Sequence, residues 1–121
     1  TATSDVGAAN HAPVAVVFGD ATKAIARLRV KAGETIDLDA SGTHDPDGGP
    51  ISVRWYVYGE AGTYDGAPVI ENADTLHARL RAPMVGKPET LHVILEARDE
   101  GTPALHGYRR VVVRVDPEDA T

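Results

Sequence analysis

The segment from Leu38 to Tyr58 constrains this chain most. It reads Leu38-Asp39-Ala40-Ser41-Gly42-Thr43-His44-Asp45-Pro46-Asp47-Gly48-Gly49-Pro50, followed directly by Ile51-Ser52-Val53-Arg54-Trp55-Tyr56-Val57-Tyr58. A strand, an acidic turn and a second strand carrying the only tryptophan follow one another. Pro46 stiffens the turn, Gly48 and Gly49 relax it, and Asp45 and Asp47 set two carboxylates two residues apart. In the second strand Ile51, Val53, Trp55 and Val57 fall on one side, with Ser52, Arg54, Tyr56 and Tyr58 on the other. Such alternation builds a half-buried sheet and is incompatible with a helix.

The same period-two pattern recurs along the chain. It predicts strands near 12–18, 24–31, 35–40, 51–58, 75–81, 90–98 and 108–115. The inward sets are Ile36, Leu38 and Ala40; Leu76, Ala78 and Leu80; Leu91, Val93, Leu95 and Ala97; and Val111, Val113 and Val115. Trp55 is in phase with the inward set of its strand and is expected in the core. The prolines fall at strand starts, in turns or outside strands, where a missing N–H costs least. About seven short antiparallel strands in an all-β sandwich are the expected fold. Residues 1–9 read as a linker, 10–116 as the sandwich domain and 117–121 as an acidic tail. A first residue other than Met reads as a piece of a longer chain.

Composition narrows the function. A net charge of −6 argues against a general nucleic-acid binder and against anionic membrane surfaces. The absence of cysteine excludes disulfides, thiolate nucleophiles and Cys-based zinc sites. The histidines His11, His44, His77, His92 and His106 lack paired ligand spacing. No nucleophile elbow and no glycine-rich phosphate loop occur, and the Asp45–Asp47 turn offers no cleft for two-carboxylate hydrolysis. The chain is expected not to be an enzyme.

Two places invite ligands. The outward face of the strands near 51–58, 90–98 and 108–115 would carry Arg54, Tyr56, Tyr58, His92, Ile94, Glu96, Arg98, Arg110, Val112 and Arg114, with Tyr108 at one end. Aromatic, aliphatic and arginine side chains together suit a recognition surface, although a solvated sheet face has the same propensities. Tyr64 sits in a loop after Gly62-Thr63 and is a further sugar-stacking candidate, or else a loop anchor. Tyr56, Tyr58, Tyr64, Tyr108 and Arg54 are therefore the expected ligand-binding set. The second place is the acidic turn: Asp45 and Asp47 supply oxygens that calcium accepts, or they cap their own turn. Asp99, ending a strand, could approach the same pole.

With these motifs placed, Asn10-His11-Ala12-Pro13-Val14-Ala15-Val16, Ala40-Ser41-Gly42-Thr43-His44-Asp45-Pro46-Asp47-Gly48 and Ile51-Ser52-Val53-Arg54-Trp55 together resemble a polycystic-kidney-disease-type (PKD) repeat, an immunoglobulin-like module. Glu60-Ala61-Gly62-Thr63-Tyr64, the run from Leu91 to Pro103, and Tyr108-Arg109-Arg110-Val111-Val112-Val113 resemble the C-terminal domain of bacterial cellulose-binding proteins, where a nucleoside-hydrolase-like domain precedes it. The resemblance implies a secreted or periplasmic, non-catalytic accessory module that binds cellulose or another plant polysaccharide. Its alternative is a structural module docked on the neighbouring domain of the same chain, without sugar affinity. It also implies calcium as the one expected cofactor, with Asn10 completing the set of Asp45, Asp47 and Asp99. Gly49 stands where the family pattern carries a further acidic residue.

Overall fold

The computed structural model describes residues 11–66 and 68–118. Alternation organises them into seven strands: β1 (Ala26–Lys31), β2 (Thr35–Asp39), β3 (Ile51–Val57), β4 (Ile70–Glu71), β5 (His77–Arg81), β6 (Glu89–Asp99) and β7 (His106–Asp116). The first sheet has the order β1-β7-β6-β3 and the second the order β2-β5-β4. The result is the expected all-β, immunoglobulin-like sandwich.

The inward phases read from the sequence meet between the sheets. Ile36, Leu38, Ala78 and Leu80 from the smaller sheet pack with Trp55, Leu91, Val93, Leu95, Val111, Val113 and Val115 from the larger one. Trp55 is only 2% exposed. Its indole N–H donates to the Thr75 carbonyl at 3.0 Å, and its backbone N–H donates to Ala73 at 2.7 Å. The ring thus fills the core while its polar edge ties β3 to the turn that leads into β5.

Three expectations need correction. The sandwich is not wholly antiparallel, because β1 runs parallel to β7. These strands come from opposite ends of the chain, so no tight turn forces them antiparallel. The segment 12–18 is not a continuous strand: it holds only bridges from Val14 to His44 and from Val17 to Asp20. Phe18 and Gly19 adopt φ of 51° and 77°, which turns the chain back on itself. The strand expected from residue 75 starts at His77, since Thr75 closes a turn on Asn72, whose φ is 56°. The short strand β4 just before that turn was not anticipated. The expected linker, residues 1–9, lies outside the described residues, as do 119–121 of the expected tail.

The irregular entry segment is held by one buried cation. Arg109 is in phase with Val111 and Val113, so its side chain points inward at the end of β7 and is 2% exposed. Its guanidinium donates to the carbonyls of Ala15, Asp20 and Ala24, and the Asp20 carboxylate lies 3.8 Å away. Three carbonyls of this irregular segment, of which only that of Asp20 has a bridge partner in the Val17 N–H, are gathered by one side chain. Replacing Arg109 by Met should keep the apolar stem but orphan the Ala15 and Ala24 carbonyls and leave that of Asp20 with the Val17 N–H alone, costing about 3–5 kcal/mol in urea unfolding. The neighbouring outward Arg110→Met should stay within about 0.5 kcal/mol of the parent. Equal stability of the two variants would refute the assigned role of Arg109.

Candidate functional site

The outward face of the larger sheet brings most of the predicted ligand-binding residues together, and strand register explains how. Opposed residues form rows across the strands. Arg54, Glu96 and Tyr108 make the first row; Tyr56, Ile94 and Arg110 make the second. In the third, Tyr58 donates its backbone N–H to His92, which is paired with Val112 and through it with Arg27 of β1. The fourth holds Thr90, Arg114 and Arg29. Side chains from successive rows close around Ile94, which is buried although it lies on the outer face. Tyr56, Tyr58, Tyr108 and Arg110, with Lys23 and Ile25 from the entry segment, line a groove of about 420 Å³ above it.

The rings in this groove are held in place. The Arg54 guanidinium stacks on Tyr56 at 4.9 Å, and that of Arg110 on Tyr58 at 5.7 Å. His106 stacks on Tyr108 with centroids 5.9 Å apart. Glu96 gathers the first row, accepting from Arg54 at 3.4 Å, from the Tyr108 hydroxyl at 3.3 Å and meeting His106 at 2.6 Å. Partial desolvation and the Glu96 charge push the Tyr108 hydroxyl above its ordinary range, so it remains a donor. Burial, followed by the charges of Arg110 and Arg27, holds His92 below the ordinary imidazole range. Its neutral Nδ1 therefore accepts from Arg110 at 2.9 Å. Tyr58 and Tyr108 keep 44% and 54% of their surface exposed, leaving apolar ring area open to a ligand.

Tyr64 does not join them. Its side chain packs against the core, its backbone N–H donates to Thr90, and it lines a hollow of about 670 Å³ with Val69, Arg81 and Met84 at the other sheet. That hollow is larger than the tyrosine groove. It holds Arg79 and Arg81 but one aromatic ring at a loop crossing, without the convergent rings of the groove, so the groove is the better recognition site. Lys23 and Ile25 were not foreseen as site residues. Nothing in local sequence places them there, because their position depends on the turn at Phe18–Gly19 and the hold of Arg109.

The acidic turn is built chiefly from its own bonds. Asp45 accepts the Asp47 N–H at 2.9 Å, a turn-capping contact. Asp47 accepts the His11 N–H at 2.7 Å on one oxygen and faces His11 Nδ1 at 2.9 Å with the other. Asp99, inward on β6 and buried, accepts N–H groups from Gly101 and Leu105, each at 2.9 Å. It lies near enough that its charge opposes that of Asp47. Among the described residues no group of three or more His, Asp or Glu has the arrangement of a metal site. Asn10 lies outside the described residues. For a hard cation needing six or more oxygens, these groups form only part of a shell, and the cation would have to displace His11 from Asp47.

Comparison with known proteins follows the same lines. Residues 35–115 match the family described as cellulose-binding protein Sde0182, C-terminal domain. A nucleoside hydrolase-related protein from Saccharophagus degradans, associated with carbohydrate metabolism, superposes with a TM-score of 0.86 at 44% identity. The alignment covers 90% of this chain and 26% of that one, so the chain spans about a quarter of that relative's length. The PKD domain of the KIAA 1837 protein shares the fold, with a TM-score of 0.53 at 20% identity over 83% of this chain and 90% of that one. A domain of a Photobacterium sp. 2,6-sialyltransferase does so at 0.50 and 12% identity, over 79% and 19% of the two chains. No curated protein sequence matches the chain.

The bonds to His11 hold the Asp47 carboxyl below the ordinary carboxylate range, against smaller opposing effects of burial and Asp99. A depressed folded-state pKa stabilises the fold above the unfolded value of about 3.9, and that stabilisation disappears as pH falls through the folded value. Asp47→Asn should therefore melt below the parent near neutral pH, with the gap closing below about pH 4. A gap in Tm that is constant from neutral to acid pH would contradict this linkage.

Proposed function

The chain belongs to the family of cellulose-binding protein C-terminal domains, and we propose that it is a non-catalytic accessory module that attaches a larger protein to polysaccharide. The observation that carries the proposal is the groove floored by Ile94, with Tyr58 and Tyr108 exposed on its walls. Sugar rings present apolar C–H faces that lie against tyrosine rings, while their hydroxyls need charged or polar partners at the edges. Arg54, Arg110 and Glu96 stand at those edges. A plant-wall polysaccharide lies outside the cell, so the module belongs to a secreted or periplasmic protein.

Affinity electrophoresis through gels containing soluble cellulose derivatives or xylan tests the reading. The parent chain should be retarded, and Tyr58→Ala or Tyr108→Ala should each weaken retention by about 3–10-fold without lowering Tm. Tyr64→Ala should leave retention unchanged, because its ring lies outside the groove. The second reading is docking on a neighbouring domain, favoured by the chain spanning about a quarter of its Saccharophagus relative. Unretarded migration through every polysaccharide gel would favour docking and refute the sugar site.

For the acidic pole we propose a weak structural calcium clip, with Asp45, Asp47 and Asp99 as carboxylate ligands. What supports it is that Asp45 and Asp47 share one turn, bonded through the Asp47 N–H, and that the charge of Asp99 reaches Asp47. Millimolar calcium should raise the Tm of the parent chain and leave that of Asp47→Ala unchanged. A parent Tm indifferent to calcium would remove the clip.

A further inference from the structure

The rows of the outer face carry a cation at every step. Arg54 belongs to the first row, Arg110 to the second, Arg27 to the third, and Arg29 with Arg114 to the fourth. Outward residues along a strand are about 6.5–7 Å apart, so the series extends for about 20 Å. It begins at the tyrosine groove and crosses obliquely from β3 to β1. The carboxylates on this face are few. Glu96 is divided among Arg54, His106 and Tyr108; Asp116 is shared by Arg29 and Arg114; and Glu60 meets Tyr58. Among the described residues no carboxylate pairs with Arg27 or Arg110. Burial first, and then the charges of those two arginines, lower the basicity of His92, which lies between them. All this lies on a chain whose net charge is −6.

We infer that the polysaccharide taken by the groove is an acidic one, a chain bearing uronate carboxylates that runs from Tyr58 and Tyr108 along Arg110, Arg27 and Arg114. The inference rests on the carbohydrate-binding reading and names its ligand class. A guanidinium matches a carboxylate in a planar, two-bond contact, and such charge-assisted bonds are the strong ones. A uronate chain offers a carboxylate on successive sugars, which suits a row of cations rather than a single anion pocket. A neutral glucan lying on the same path would desolvate Arg27 and Arg110 without supplying a counter-charge. The tyrosines would hold ring faces, and the arginines would select charge and set the direction of the chain.

Retardation of the parent chain is compared in gels of polygalacturonate, of the same backbone with its carboxylates methyl-esterified, and of hydroxyethyl cellulose. Binding to polygalacturonate should be about tenfold or more tighter than to the ester. It should collapse at roughly half-molar salt, where surface charges are screened. The double variant Arg27→Gln/Arg114→Gln, outside the groove itself, should lose tenfold or more on polygalacturonate and little on the ester, with Tm unchanged. Equal retention by acid and ester overturns the acidic-ligand inference and leaves the sugar site standing. Retention by none of the gels overturns both. Equal affinity for single-stranded DNA and polygalacturonate would reveal indiscriminate polyanion adsorption and also overturn the inference. The acid–ester comparison requires no variant, so it stands even if the double variant folds poorly.

Discussion

The buried guanidinium of Arg109 is the contact on which the working face depends. A cation so deeply enclosed is costly to desolvate, and the carbonyls gathered around it, with the Asp20 carboxylate nearby, make its position favourable. Those carbonyls belong to Ala15, Asp20 and Ala24, a stretch without a continuous strand ladder of its own. By fixing that stretch, Arg109 sets Lys23 and Ile25 against the tyrosines and gives the groove its rim. Arg109 itself faces the core, while its neighbours Tyr108 and Arg110 face the ligand side. Three consecutive residues thus divide structure from recognition by the alternation of one strand.

That alternation also shows how much the sequence revealed. The inward sets around Trp55 were legible because a sandwich with one face packed and one face wet imposes a strict period of two. The outer-face cluster of Arg54, Tyr56, Tyr58 and Tyr108 followed from the same count. Arg109 and Asp99 were legible in principle as well: each is a charged residue at an inward phase near the end of a strand. A charge in that phase must find several partners or be excluded. Both find them in backbone groups of irregular segments. For Asp99 this means that its described bonds are those of a turn anchor.

What escaped the sequence was set by backbone conformations and long-range closure. Phe18 at a positive φ looks like an ordinary strand residue, and no glycine or asparagine stands at that position to signal the turn. The segment 12–18 therefore read as continuous although the chain reverses at its end. The place of Tyr64, apart from the groove, was illegible for a related reason. Its loop can be recognised from Gly62 and Gly66, but the sheet on which it lands depends on the bond from Thr63 to Thr90. Side-chain periodicity carries no information about such crossings.

The character of the face is better explained by how its rings are restrained than by their number. Isolated tyrosines on a sheet would each lose rotamer freedom on meeting a ligand, which weakens binding. Here Tyr56 and Tyr58 lie under arginines, and Tyr108 lies between His106 and Glu96, so much of that ordering is complete beforehand. The arrangement also keeps Arg110 on a neutral acceptor, His92, rather than on a carboxylate. A guanidinium committed to a carboxylate would have to break an ion pair before meeting a ligand. One bonded to an imidazole gives up less, and it stays positively charged toward solvent. A proposed recognition surface built this way combines rigid rings with unneutralised cations, and those two properties together favour a ligand that is both ring-shaped and anionic.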